Sequence, residues 1–158
     1  MSSGIETLRA SALCMGMTQQ ETDDLLAIAE VRTYGPSELI VAEGTPSDCL
    51  FIVEEGTVRI EKSSSTEVVL IATMGEPGDF FGEMSLIDIL PRSADVRAQG
   101  ALRLLAFPKR KLAEIFGRAP KLQVSLILNF ARTLSLRLRE ADDKIVELSR
   151  ALKAGAKG

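Results

Sequence analysis

The spacing of apolar residues divides the chain into a helical beginning, a strand-rich middle and a long helical end. Thr18 followed three residues later by Glu21 is a capping-box pattern, and the apolar face after it predicts helical structure over about residues 5–30. From Val31 onwards, short β-branched runs bounded by turn signals are typical of strands. These strands are predicted at residues 38–41, 49–53, 57–61, 68–74, 94–98 and 102–107.

Turns rich in glycine and proline separate the predicted strands, as at Gly35-Pro36 and at residues 75–78. Many short strands at regular spacing favour an antiparallel β-roll, which is jelly-roll-like in its architecture. Because helices flank this strand-rich region on both sides, the predicted fold class is α+β.

The strand pattern ends before a short predicted helix at residues 109–117 and a longer one from Pro120 to about residue 153, since proline suits the first turn of a helix. We therefore expect residues 1–119 to form a β-roll domain with N-terminal helices. Residues 120–158 are expected to form a long C-terminal helix.

An unbroken heptad seam runs along this last helix from residue 127 to residue 152. Its members are Ile127, Ala131, Leu134, Leu138, Ala141, Ile145, Leu148 and Leu152. With Leu138 and Ile145 at a positions, the pattern favours a parallel two-stranded coiled coil, in which Arg137 at g would pair with Asp142 at e of the second chain. Packing on the chain's own domain is the alternative, but it requires no such regular 3.5-residue period. We predict a homodimer through the 127–152 seam.

The composition excludes several kinds of chemistry. There is no histidine, and the two cysteines, Cys14 and Cys49, do not form a C-x-x-C pair. This argues against a metal site, an iron–sulfur cluster, a His-ligated haem or a disulfide scaffold, and it removes the commonest general base. We interpret both cysteines as small buried apolar residues. The N-terminus does not resemble a signal peptide, and no apolar run is long enough to span a bilayer, so we expect a cytoplasmic protein without a membrane partner.

The charge distribution is uneven. Residues 121–158 carry a net charge of +4 and the rest of the chain −7, giving −3 overall. The basic end is interpreted as a solvated helix surface. Because the overall balance is acidic, we expect no general affinity for nucleic acid.

The candidate binding chemistry lies between Gly78 and Ala94. Glycines at 78 and 82 permit positive φ and close approach of a ligand, and residues 84–89 are long enough for one or two helical turns. The N–H groups at the start of such a helix suit a phosphate. Pro91 ends the helix, and the returning chain brings the guanidinium of Arg92 back towards that start.

The side chains beside Pro91 and Gly82 complete the predicted site. Arg92, the Ser93 hydroxyl and free backbone N–H groups would hold a singly charged phosphodiester. Glu83 would be an odd neighbour for a phosphate unless its carboxylate accepts hydrogen bonds from a sugar hydroxyl.

Two linked motifs closely resemble the phosphate-binding cassette of cyclic nucleotide-binding domains, which occur in catabolite-activator-type regulators, regulatory subunits of cAMP-dependent kinase and cyclic nucleotide-gated channels. They are Phe81-Gly82-Glu83-Met84-Ser85-Leu86 and Pro91-Arg92-Ser93-Ala94-Asp95-Val96-Arg97-Ala98. The resemblance extends over nearly the whole chain, and the linked pair is a specific signal.

The resemblance implies a role for each matching residue. Glu83 would bind the ribose 2′-hydroxyl, and Arg92 the cyclic phosphate, helped by Ser93 and by backbone N–H groups. The long helix would supply a contact to the base, and Val69 and Ile71 would wall the cavity. The implied ligand-binding residues are Gly82, Glu83, Met84, Ser85, Arg92, Ser93, Ala94, Arg137 and Leu138.

The resemblance therefore implies a cyclic nucleotide receptor that binds rather than transforms its ligand, with cAMP favoured over cGMP although no residue separates the two. No helix-turn-helix follows the long helix, so we expect signalling to a separate partner of unknown identity, or a chain that is part of a larger protein. A ligand-free dimerisation or scaffold module is the alternative. In that case Gly82 and Pro91 would merely shape a corner of the roll, and Glu83 would pair with Arg92.

Overall fold

In the computed structural model, residues 3–46, 48–83 and 91–157 are described. The N-terminal segment forms α1 (Gly4–Ala10), a 3-10 turn (Ala12–Cys14) and α2 (Gln19–Ile28). Thr18 and Glu21 form the predicted capping box at the start of α2. The predicted helical stretch at 5–30 is thus broken into short pieces, because capping groups start a new element more than once within it.

The middle of the chain folds into two four-stranded antiparallel sheets within the described residues, which confirms the β-roll. The strands are β1 (Glu30–Tyr34), β2 (Leu39–Val41), β3 (Cys49–Glu55), β4 (Val58–Ser63), β5 (Val68–Met74), β6 (Phe80–Phe81), β7 (Asp95–Ala98) and β8 (Leu102–Pro108). One sheet has the order β1-β8-β3-β6 and the other β2-β7-β4-β5. The two strands absent from the sequence prediction are β1 and β6. The predicted helical turns at 84–89 lie outside the described residues.

Strand β3 is apolar along most of its length because both of its faces are covered. Leu50 and Ile52 pack into a cluster with the helices, whereas Phe51 and Val53 pack between the two sheets. A strand buried on both faces has a continuous apolar run instead of an alternating one. The strand therefore separates the helical layer from the interior of the roll.

The C-terminal part consists of α3 (Lys109–Arg118) and α4 (Pro120–Gly155), close to the predicted bounds. The first third of α4 packs Leu122, Leu126 and Phe130 into the helical cluster. Buried Asn129 donates through Nδ2 to the carbonyl oxygens of Leu13 at 2.9 Å and Met15 at 2.8 Å, fixing the 3-10 turn against α4.

From residue 138 onwards, the described part of α4 is exposed to solvent. Among the described residues, no helix combines the length and the apolar character that crossing a bilayer requires.

Candidate functional site

A cavity of about 210 Å³ opens on the inner side of the β2-β7-β4-β5 sheet and holds most of the predicted ligand residues. It is lined by Val41, Ile60, Met74, Phe81, Gly82, Glu83, Pro91, Arg92, Ser93, Ala94, Val96 and Arg137. Apolar side chains thus form its walls, and charged groups from three separate segments meet there. Such a combination of apolar walls and a few convergent polar groups is typical of small-molecule sites.

The remaining predicted site residues differ in their placement. Met84 and Ser85 lie outside the described residues. Leu138 is 64 % exposed and is not among the residues that line the cavity, so its contact with a base stays a prediction. Val69 and Ile71 do not line this cavity either; the walls on β4 and β5 come instead from Ile60 and Met74.

Arg92 is held from both its backbone and its side chain. Its N–H donates to the Thr45 carbonyl at 2.9 Å, and its carbonyl accepts from the Gly44 N–H at 2.8 Å. Its Nη2 donates to the Cys49 carbonyl at 3.0 Å and lies 3.5 Å from Asp48 Oδ1. These contacts fix the guanidinium in the cavity wall.

The Arg92 side chain is only 7 % exposed, and its guanidinium carbon lies 5.9 Å from the centre of the Phe51 ring. Burial lowers the pKa of Arg92 because it disfavours the charged form, while the nearby charges of Asp48 and Glu83 act in the opposite direction. Arginine still keeps its charge, since its ordinary pKa lies far above neutral pH. The cavity therefore presents a desolvated cation, on which an anion binds more strongly than in water.

Gly82 allows this placement of Arg92. Its φ is +78°, and a Cβ added there would lie 2.6 Å from both Arg92 Nη1 and the Cys49 carbonyl oxygen. A side chain at position 82 would therefore be strained and would displace the guanidinium.

Glu83 is 8 % exposed and is paired with the long helix. Arg137 Nη1 donates to Glu83 Oε1 at 2.9 Å, and Arg137 Nη2 donates to the Phe80 carbonyl at 2.6 Å. The guanidinium also lies 4.8 Å from the Phe80 ring centre. In the described part of the chain, Glu83 and Arg92 thus have separate ion-pair partners rather than one another. The pairing of Arg137 with Asp142 of a second chain stays a prediction.

The residues that sequence reasoning missed are the partners of Arg92, namely Asp48 and the Cys49 carbonyl. The sequence marks residues 44–48 only as a turn before a buried strand. Nothing in that pattern shows that the turn lies against a residue more than forty positions further along.

Both cysteines are buried and free, as predicted. Burial raises the pKa of the Cys14 thiol to about 12 and that of Cys49 to about 11, so neither is a reactive thiolate at neutral pH. Within the described ranges, no group of three or more His, Cys, Asp or Glu residues could hold a metal ion.

The family follows from this fold and from a match in sequence. Residues 31–119, more than half of the chain, match the family model described as the cyclic nucleotide-binding domain. The chain therefore belongs to the cyclic nucleotide-binding domain family, a regulatory family, as the resemblance of its cassette implied.

Individual relatives agree with this assignment. The chain is 32 % identical over 143 residues to the cyclic AMP receptor protein of Thermus thermophilus, covering 90 % of this chain and 64 % of that protein. A solved cyclic nucleotide-binding domain from Methylobacillus flagellatus is similar with a TM-score of 0.80 and 26 % identity, over 90 % of this chain and 80 % of that one.

A third similarity is to part of a larger protein. Glutaminase 2 of Bradyrhizobium diazoefficiens is 31 % identical over 136 residues, which is 84 % of this chain but 21 % of that protein. The chain thus spans less than two thirds of both curated relatives named here.

Proposed function

We propose that the protein is a cyclic nucleotide receptor in which Arg92, Ser93 and the Ala94 backbone bind the cyclic phosphate and Glu83 binds the ribose 2′-hydroxyl. The observation that carries the proposal is a buried guanidinium and a nearly buried carboxylate facing one apolar cavity. A cyclic nucleotide has the matching groups: a singly charged phosphodiester, a sugar hydroxyl and a flat aromatic base whose faces can pack against apolar walls. Gly82, Met84 and Ser85 complete the proposed site by their place in the same cassette.

We assign cAMP as the preferred ligand over cGMP. Support comes from the Thermus thermophilus relative, which is named a cyclic AMP receptor protein. Arg137 lies at the cavity with its guanidinium beside the Phe80 ring, and we propose it, with neighbouring Leu138, for the contact with the base.

Titration calorimetry with cAMP, cGMP and 5′-AMP tests the ligand. We expect cAMP to bind most tightly and 5′-AMP, which lacks the cyclic ester, to bind weakly. Replacement Arg92→Gln removes a charge-assisted contact and should weaken cAMP binding about ten- to a hundredfold. The control Arg110→Gln changes an exposed arginine on α3 and should leave binding unaltered.

The proposed contact between Glu83 and the ribose 2′-hydroxyl can be tested by combining a variant of Glu83 with a ligand that lacks this hydroxyl. Removing the 2′-hydroxyl, as in 2′-deoxy-cAMP, should weaken binding to the wild type by about tenfold, a typical value for a hydrogen bond to a charged group. In Glu83→Gln, removing the 2′-hydroxyl should weaken binding much less than in the wild type, because the carboxylate that accepts its hydrogen bond is already gone. Equal losses in both proteins would place the ribose elsewhere.

We further propose that the chain forms a homodimer through the 127–152 seam and signals to a separate partner by moving its C-terminal helix. The support is the exposure of the seam residues from Leu138 onwards and the ion pair that joins Arg137 on the same helix to Glu83. The two free buried thiols fit a cytoplasmic setting, and we propose no contact with membrane or nucleic acid.

The alternative is a ligand-free dimerisation or scaffold module. One observation favours it: Arg92 and Glu83 each already have an ion-pair partner within the chain. A dimer that binds neither cAMP nor cGMP would establish this reading. We propose binding without turnover, so cAMP recovered unchanged by chromatography after long incubation is the expected result, and any steady product would contradict it.

A further inference from the structure

The ion pair between Arg92 and Asp48 joins a buried cation to an exposed acid. Arg92 is 7 % exposed at its side chain, whereas Asp48 is 86 % exposed, and the two are 3.5 Å apart from Nη2 to Oδ1. The backbone of Asp48 is anchored, since its carbonyl accepts a hydrogen bond of 2.8 Å from the Lys109 N–H. The carboxylate can therefore turn away into water, while the guanidinium cannot leave the cavity wall.

This asymmetry matters because Asp48 and a phosphate have the same sign of charge. An anion bound to Arg92 would lie within a few ångströms of the Asp48 carboxylate. Two like charges at that separation repel each other measurably even in a medium as polar as water. In addition, Asp48 occupies part of the hydrogen-bonding edge of the guanidinium, at Nη2.

We propose that Asp48 is an internal counter-ion that weakens phosphate binding at Arg92 and thereby sets the ligand concentration to which the protein responds. The inference rests on the proposed function of the same cavity. Asp48 itself does not line the cavity, so it acts through Arg92 and not by touching the nucleotide. Because the Asp48 carboxylate is 86 % exposed, water screens its attraction to Arg92, and we expect the charge of Asp48 to contribute little to stability.

The decisive variant is Asp48→Asn, because asparagine keeps the shape and an acceptor oxygen but removes the charge. At low salt we expect its dissociation constant for cAMP to be about three- to tenfold lower than that of the wild type, as expected from removing one nearby like charge. Asp48→Glu, which keeps the charge, should stay near the wild type. Asp23→Asn on α2 makes the same change in net charge on an exposed residue of the helical layer and should have no effect.

Salt separates the charge effect from a structural one. Because ions screen exposed charges, the ratio of the wild-type dissociation constant to that of Asp48→Asn should shrink towards one at about 0.5 M salt. Thermal denaturation should show nearly equal stability for the two proteins. Unchanged or weaker cAMP binding by Asp48→Asn would overturn the inference and make Asp48 a residue that positions Arg92.

The outcomes for the two proposals differ. If the wild type binds cAMP but Asp48→Asn does not bind it more tightly, only the role of Asp48 fails. If neither protein binds cAMP or cGMP, the proposed function fails and takes the role of Asp48 with it. Binding detected only in Asp48→Asn would support both, with the wild-type affinity below the range of the titration.

Discussion

Arg137 donates to the Glu83 carboxylate at 2.9 Å, and this ion pair connects the long helix α4 with the wall of the cavity. The same guanidinium donates to the Phe80 carbonyl at 2.6 Å, so it bridges the residue just before the cassette and Glu83 within it. If the proposed ligand contact at Glu83 is made, we expect any change there to reach Arg137 first. Beyond that residue, the described side chains of α4 are exposed to solvent.

Loss of Arg137 should destabilise the protein. In Arg137→Met the nearly buried Glu83 carboxylate lacks its cation, and the free energy of unfolding should fall by about 1–3 kcal/mol, the usual range for an unsatisfied polar group. Chemical denaturation measures the loss. Arg139→Met, two residues further along on the exposed surface, is the matched control. Equal effects of the two replacements would show that the ion pair contributes nothing.

Gly82→Ala should damage both stability and binding. The positive φ and the close approach of Arg92 Nη1 and the Cys49 carbonyl leave no room for a methyl group. We expect a loss of about 1–3 kcal/mol in the free energy of unfolding, the range for a strained backbone position, and weaker cAMP binding because Arg92 is displaced. Gly100→Ala, where an added Cβ meets nothing within 4 Å, should leave both nearly unchanged.

Two adjacent residues on α4 provide a direct test of the dimer. Ile145 lies on the heptad seam and is 64 % exposed, whereas Val146 lies off the seam and is 47 % exposed. Ile145→Asp places a charge in the coiled-coil interface and should give monomers by light scattering, while Val146→Asp should stay dimeric. A wild type that is monomeric at high concentration would contradict the seam. Leu134→Asp is a poorer choice, because Leu134 also packs against the helical cluster.

The raised pKa values of the thiols predict a dependence of stability on alkaline pH. Unfolded thiols lose their protons near pH 9, whereas Cys14 and Cys49 keep theirs until about pH 12 and about pH 11. The unfolded state thus binds fewer protons above pH 9, and stability falls as pH rises from there. The loss approaches about 1.4 kcal/mol per pH unit for each thiol. Urea denaturation at pH 8 and pH 10 should show a smaller decrease for the double variant Cys14→Ala/Cys49→Ala than for the wild type.

Most strands could be predicted from the sequence because short β-branched runs between glycine- and proline-rich turns seldom adopt any structure other than a strand. Strand β5 was predicted with its observed bounds, Val68–Met74. The strand at Glu30–Tyr34 was missed because its residues are mostly polar and follow directly on a helix. Strand β6 has two residues and carries no pattern of its own.

Only part of the candidate site could be predicted from the sequence. The cassette identifies Glu83 and Arg92 because their spacing from Gly82 and Pro91 is local. Their protein partners are set by tertiary packing: Arg137 lies 54 positions from Glu83, and the Cys49 carbonyl 43 positions from Arg92. The periodicity of apolar residues along the chain does not show which residues so far apart in sequence come into contact. The seam shows the same limit, since its regular spacing predicts a partner helix but not that Leu134 also contacts the core.

Strand β3 lies between the helical layer and the candidate site and contacts both. The Cys49 carbonyl of its backbone and the Phe51 ring on one face lie against Arg92, and Leu50 and Ile52 on the opposite face pack against the helices. The same strand therefore borders both the cavity at Arg92 and the apolar cluster beneath the helices. Because close-packed interiors transmit strain, we expect a shift of the guanidinium to press on Phe51, whose neighbours Leu50 and Ile52 pack against the helices. A disturbance at Arg92 is therefore expected to reach the helical layer through this one strand.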